Sequence, residues 1–185
     1  MRPEDLESLL DDDAPLENFL YHDARLDCQR LGKDIWLTLD NHCEKSGAIT
    51  AALGQSLLAA LNAVGESHQK NPAQILRLGI PLSAGADFDT PLESLFYINA
   101  ILEALWQLHT QQLRIEVLID TACHGGAAIL TAACADDILI GDQTRISLFG
   151  PRVLSSLTQQ PTPKHMPKPQ ATLPQPPRLR RILMP

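Results

Sequence analysis

Leu113 to Arg152 reads L-R-I-E-V-L-I-D-T-A-C-H-G-G-A-A-I-L-T-A-A-C-A-D-D-I-L-I-G-D-Q-T-R-I-S-L-F-G-P-R. The apolar run Ile115, Val117, Leu118 and Ile119 predicts a strand, and Gly125-Gly126 breaks it. Small residues from Ala127 to about Ala135 predict a helix; Ile138–Ile140 and Ile146–Phe149 predict two more strands before Gly150-Pro151-Arg152. Strand, glycine pair, helix, strand is a grammar for phosphate or oxyanion binding. Glycines at the mouth of a helix let backbone N–H groups meet a ligand oxygen with no Cβ in the way, and the helix dipole adds partial positive charge.

Outward from this stretch, Pro91 opens a helix whose apolar set (Leu92, Leu95, Phe96, Ile98, Leu102, Leu105, Trp106, Leu108) is wide enough to pack on more than one side. Before it, Ser83-Ala84-Gly85-Ala86-Asp87-Phe88 follows a short strand predicted over 75–80 and ending at Pro81. Earlier still, Ala48–Val64 carries a helical stripe (Ile49, Leu53, Leu57, Leu58, Leu61, Val64), Asn41–Gly47 reads as a turn, and Asp34–Asp40 as a strand. Strands alternating with helices predict an α/β domain with right-handed crossovers.

A chain of 185 residues, 44% hydrophobic and 20% charged, is sized for one globular domain. Its net charge of −7 divides into −13 over residues 1–151 and +6 from Arg152 onward, which argues against nucleic acid as a partner. Residues 1–21 form an acidic leader expected to be flexible, 22–154 the domain, and 155–185 a basic tail with eight prolines expected to be disordered. Pro174–Arg178 has the form of a polyproline ligand followed by a basic residue. Cys28, Cys43, Cys123 and Cys134 show no C-x-x-C spacing, so no zinc site is expected and a reduced, cytoplasmic setting is. No apolar run approaches a membrane span, and the N-terminus lacks signal-peptide character.

Two glycine-bearing strand ends, S-A-G-A-D-F (Ser83–Phe88) and H-G-G-A-A (His124–Ala128), together resemble the two oxyanion-hole segments of the crotonase superfamily. The Glu44–Thr50 run also resembles the N-terminal region of enoyl-CoA hydratases. From Ser83 onward the chain is more similar to the β subunits of acetyl-CoA carboxylase carboxyltransferase and malonate decarboxylase. The matching residues are Gly125-Gly126, Asp136–Gly141 and Ser147–Leu154. The resemblance covers residues 35–155 and implies an α/β crotonase-like spiral of ββα units lacking the C-terminal part of the family fold. It implies backbone donors at Gly85, Ala86, Gly125 and Gly126, with Ser83, Ala84, Asp87, His124 and Arg152 around the substrate. Coenzyme A or an acyl-carrier protein would carry the acyl group with no covalently bound cofactor, a biotin carrier is compatible, and a partner subunit or homo-oligomer would complete the site.

Chemistry separates the readings. Hydratases of the superfamily place one glutamate on the helix after the glycine pair and another near a following L-P-E. Here that helix reads A-A-I-L-T-A-A-C-A, and F-G-P-R stands in place of L-P-E. Decarboxylation or carboxyl transfer at a malonyl-type thioester asks instead for stabilisation of an enolate oxygen, which backbone N–H groups supply. A carboxyltransferase or decarboxylase is therefore expected, with a hydratase or isomerase and a non-catalytic assembly subunit as alternatives. Residue by residue other roles stay open: close packing for Gly125-Gly126, a structural ring for His124, helix capping for Asp87 and Asp89, and the start of the basic tail for Arg152. Cys123 has only His124 as a basic neighbour in sequence, a poor setting for a nucleophile.

Overall fold

The computed structural model describes residues 19–39, 48–83, 85–86, 90–125, 134–140, 144–147 and 178–181. The strands are β1 (Phe19–His22), β2 (Leu26–Leu31), β3 (Asp34–Leu39), β4 (Ala48–Ile49), β5 (Ile75–Ser83), β6 (Gly85–Ala86), β7 (Arg114–His124), β8 (Asp137–Ile140), β9 (Arg145–Ser147) and β10 (Arg178–Arg181); the long helices are α1 (Ala51–Lys70) and α2 (Pro91–Thr110). The main sheet runs β1-β2-β3-β5-β7-β8-β10, with β9 also paired to β7, and β4 and β6 form a small second sheet. β1, β2 and β3 are antiparallel neighbours; every other pairing is parallel.

Burial alternates along β2 and β3, so Leu26, Cys28, Ile35, Leu37 and Leu39 point to one covered face. They join Leu76, Leu78, Ile115, Val117, Ile119 and Ile138 in a core closed by Leu53, Leu57, Leu61 and Val64 of α1 and Ile98, Ile101, Leu105 and Leu108 of α2. The helices touch closely where Gly54 faces Tyr97: a Cβ at Gly54 would lie 2.5 Å from Tyr97 Cβ. Glycine is what lets the first turns of α1 and α2 adjoin.

Several elements depart from the expected limits. The expected helix over 48–64 begins only at Ala51, because Ala48–Ile49 pairs with β6 and Thr50 caps α1, its Oγ1 accepting from Leu53 N at 3.2 Å. It then runs on to Lys70, since its inward stripe continues through the buried His68, whose Nδ1 accepts from Ala73 N at 3.0 Å. Strand β5 does not stop at Pro81. A bulge between Ile80 and Leu82 takes up the missing N–H donor, and pairing resumes to Ser83. At the N-terminal side β1 starts at Phe19, ahead of the boundary at 22. Arg178–Arg181, within the expected tail, lie as a strand along β8, with Leu179 opposite Ile138. The expected turn at 41–47 and the helix over 127–133 lie outside the described residues.

Two polar side chains, the buried Arg30 and the half-buried Asp23, hold this architecture. Arg30 sits at the C-terminal end of α1, donating from Nη1 to Asn71 O (2.7 Å) and Ser67 Oγ (2.9 Å), a cation where the helix dipole is negative. Asp23 accepts from Ser56 Oγ, Arg25 N (2.7 Å), Leu26 N (3.1 Å) and Tyr21 Oη (3.1 Å), and so ties the β1–β2 turn to α1. Burial pushes its carboxyl up, but those four hydrogen bonds outweigh burial and hold it below the usual 3.8.

The Gly54 contact gives a paired test by denaturant unfolding. Gly54→Ala should destabilise the chain by about 1–3 kcal/mol through overpacking against Tyr97. Gly65→Ala, whose Cβ would meet only Leu108 Cδ2 at 3.5 Å, should be neutral or stabilising by up to about 1 kcal/mol. The Asp23 turn gives a pH test. A folded pKa below the unfolded value means that its contribution is present above pH 3.8 and is lost as pH falls through the folded value. Asp23→Ala should therefore cost about 1–2 kcal/mol at pH 7, and its melting temperature should converge on wild type in acid.

Candidate functional site

Parallel strands β5 and β7 lie side by side at the centre of the sheet, and their C-terminal ends carry the two glycine segments. Ligands of open α/β sheets bind at such ends. From Ile75↔Arg114 to Ile80↔Ile119 the register is uniform. Past the bulge it becomes Leu82↔Ala122 and Ser83↔Cys123, so that Asp120 and Thr121 together oppose Pro81. That extra residue in β7 sets the sequence count at the strand ends: Gly85 comes two residues after Ser83 and Gly125 two residues after Cys123, the last pair of the ladder. Without the bulge the same count would set Gly85 against His124, a difference of one residue, about 3.3 Å along a strand.

The two ends are then held differently. Gly85-Ala86 is fixed as β6 by pairing with Ala48-Ile49. Gly125 has φ +63°, a left-handed turn that glycine adopts without the cost a side chain brings. On the far edge β9 follows on from β8: β8 pairs with Glu116–Ile119 and β9 with Ala122–His124, while buried Thr144 donates from Oγ1 to Ile119 O at 2.7 Å where one gives way to the other. β7 is thus supported along its whole length up to the glycine.

Of the expected site residues, Ser83, Gly85, Ala86, His124 and Gly125 are brought to this edge; Ala84, Asp87, Gly126 and Arg152 lie outside the described residues. Cys123 is fully buried in the core. His124, next along the strand, is half-buried, and burial lowers its pKa from 6.5, which keeps the imidazole neutral at pH 7. A neutral ring beside the glycine turn can accept one proton or donate one N–H, but it does not supply a cation. Among the described residues no cluster of three or more His, Cys, Asp or Glu side chains could hold a metal ion. No helix there is long and apolar enough to cross a membrane.

A second polar constellation, not visible as a motif, crosses the opposite end of the sheet. Trp36, Arg77, Glu116, Asp137 and Arg178 stand in register on five adjacent strands. The Arg77 guanidinium lies 4.8 Å from the Trp36 ring centroid and pairs with Asp34 and with Glu116 (3.1 Å), and Arg114 pairs with Asp137. An open cleft of about 540 Å³ lies here, lined by His109, Gln112, Leu113, Arg114, Asp136 and Asp137. Its charges engage one another: His109 Nε2 meets Asp136 Oδ1 at 3.1 Å, and Asp136 Oδ2 accepts from Ile115 N at 2.8 Å. The cleft belongs to the framework, a full strand length from the glycines.

No protein-family model and no curated protein sequence matches the chain. Solved structures do. The Pseudomonas malonate decarboxylase hetero-dimer superposes with a TM-score of 0.67 at 18% identity, over 82% of this chain and 66% of that one. The transcarboxylase 12S hexamer with methylmalonyl-coenzyme A bound gives 0.62 at 15% identity, over 85% and 33%. An enoyl-CoA hydratase from Mycobacterium avium subsp. paratuberculosis gives 0.57 at 18%, over 69% and 51%. The chain carries the crotonase-superfamily fold. Its crotonase fold is a mixed sheet with helices, and the chain spans 66%, 51% and 33% of those three neighbours.

The state of His124 is directly measurable. Its ring resonances in an NMR titration should show a midpoint below 6.5. Because the unfolded chain binds this proton more readily, the linked stability is present above pH 6.5 and falls as the pH drops through it.

Proposed function

We propose that the chain binds an acyl thioester through a backbone oxyanion hole and belongs chemically with the carboxyltransferases and decarboxylases. The observation that carries the reading is the β5–β7 register: after the shift at Pro81 the ladder ends at Ser83↔Cys123, and Gly85 and Gly125 each follow two residues later on adjacent parallel strands. On this reading the N–H groups of Gly85, Ala86, Gly125 and Gly126 face the thioester carbonyl oxygen. When a malonyl-type thioester loses its carboxylate, the bond from Cα to the carboxyl carbon breaks and carbon dioxide leaves. The electron pair stays behind as an enolate whose oxygen carries the charge. Donors fixed on that oxygen act mainly in the transition state. The half-buried His124 ring is placed to offer an N–H hydrogen bond to the bound thioester, and water supplies the proton that returns to Cα. Ser83, Ala84, Asp87 and Arg152 complete the surroundings.

Coenzyme A or an acyl-carrier protein carries the acyl group in this proposal. Support comes from a fold neighbour solved with methylmalonyl-coenzyme A, and from others that are hetero-dimers and hexamers. A partner subunit or a second copy then completes the site, a biotin carrier is compatible, and the cytoplasm is the setting. Hydratase chemistry is disfavoured because the segment 127–135 and the stretch Phe149–Arg152 contain no acid. A non-catalytic assembly subunit is the alternative that the same fold also allows.

Incubation with malonyl-CoA and with crotonyl-CoA, followed by product analysis, separates these readings. Decarboxylation to acetyl-CoA without hydration of crotonyl-CoA is expected. Hydration at ordinary enzyme rates overturns the decarboxylase reading. Absence of thermal stabilisation by acetyl-, malonyl- and crotonyl-CoA at millimolar concentration leaves only the assembly subunit.

A further inference from the structure

Helix α2 is apolar on two sides. Ser94, Ile98, Ile101, Leu105 and Leu108 are buried and form its inward face. Leu92, Leu95, Phe96 and Trp106 instead stand 81%, 50%, 66% and 60% exposed. At 3.6 residues per turn these four, with exposed Asn99 and half-buried Leu102 between them, fall within an arc of about 120°, so they make one face and not a scatter of surface residues. Phe96 and Trp106 alone leave about 200–300 Å² of aromatic side chain in water, and the two leucines add to it; apolar patches of this size mark interaction sites.

The order of residues along this face says what fits it. Leu92, Leu95, Asn99, Leu102 and Trp106 follow at steps of 3, 4, 3 and 4, the seam by which one helix packs on another. The seam also reads nearly alike in both directions from Asn99: Leu92 and Trp106 stand seven residues before and after it, Leu95 and Leu102 four before and three after. A two-fold axis crossing the helix at Asn99 would set Leu92 against Trp106 of a second copy and Leu95 against Leu102, each contact made twice. On the axis Asn99 would meet itself, and a carboxamide carries both the donors and the acceptor to hydrogen-bond its own copy. Parallel copies would instead put the two Glu103 side chains level and align the helix dipoles. Antiparallel copies separate those glutamates by about 12 Å along the axis and oppose the dipoles.

We infer that two copies of this chain associate antiparallel through the outward face of α2, with Asn99 on the two-fold axis. The inference stands apart from the acyl-thioester reading and holds whether or not the chain turns over a substrate. Its strength follows from its size. From Leu92 to Trp106 the seam is about 21 Å long, one helix from each copy, and it falls short of the ~800 Å² per partner of a standard interface. Association is therefore weak and set by concentration, with a dissociation constant of about 10–100 μM.

Sedimentation equilibrium of the full chain from about 1 to 300 μM is the test. Wild type should pass from one chain mass to two across that range. Leu92→Glu and Trp106→Arg, each at an exposed position, should stay at one chain mass while melting within about 2 °C of wild type when dilute. Mixed together, the two variants should associate again: one end then pairs Leu92 with Trp106 as in wild type, and the other pairs the introduced carboxylate with the introduced guanidinium. Phe19→Glu, at an exposed apolar residue of β1, should change nothing. Wild type at one chain mass throughout overturns the inference, and a lowered melting temperature of the two α2 variants would then show that the chain itself covers this face. Association that survives both α2 substitutions, or is lost with Phe19→Glu in their place, puts the contact elsewhere and overturns it too. A mixture that stays monomeric overturns the antiparallel arrangement.

Discussion

The pairing of β5 with β7 is the constraint on which the molecule depends. It joins the two halves of the sheet, and it carries both glycine segments. Its register is uniform for six residue pairs and then shifts by one at Pro81. A proline inside a central strand removes a ladder hydrogen bond and is ordinarily a defect. Here the bulge converts the missing donor into an advance of β7 by one residue, so that Ser83 pairs with Cys123 and the two glycine segments leave the ladder after the same pair.

A shift at one end requires that the other end be held firmly, and the charged row does this. Glu116 and Asp137 are buried carboxylates whose guanidinium partners, Arg77 and Arg114, reach across from β5 and from within β7. Exposed ion pairs contribute little to stability, but leaving a buried carboxylate unpaired costs several kcal/mol. A slip of β5 against β7 would take Arg77 out of line with Glu116 and turn Leu78 away from Val117. Polar face and apolar face specify the same register, so the slip is penalised twice. Every glycine position at the far end inherits that precision.

What could be read from the residues follows from which signals were apolar and local. Strands β3, β7 and β8, both long helices and the glycine-bearing ends were legible because they rest on periodicity, proline at N1 and a glycine pair. Strand β2 was not: its inward positions are Leu26, Cys28 and Arg30, and the arginine, satisfied by the end of α1, spoils the alternation. The extra turns of α1 were hidden for a like reason, since His68 is buried and polar. Strand β10 draws on a long-range partner, β8, that nothing within R-L-R-R announces. The candidate site was legible as two segments, and the register shift between their strands was not, because a bulge is a property of two strands together.

Both glycine segments belong to a single β-α-β unit, β5 through α2 to β7, contained in Ile75–Gly125. Their relative placement therefore depends on the β5–β7 ladder, on the inward stripe of α2 and on the Gly54–Tyr97 contact, and on little else. A shorter span relative to the fold neighbours bears on the walls around an acyl group, not on whether the glycines face the same edge. The fold can accordingly keep aligned donors whether or not turnover is retained, so their presence alone does not separate an enzyme from an assembly subunit. What separates them is whether any chemistry-bearing group near the edge is kept in a state that only a ligand would use. The group at this edge whose state bears on that question is His124, half-buried next to Gly125, with its pKa lowered by burial.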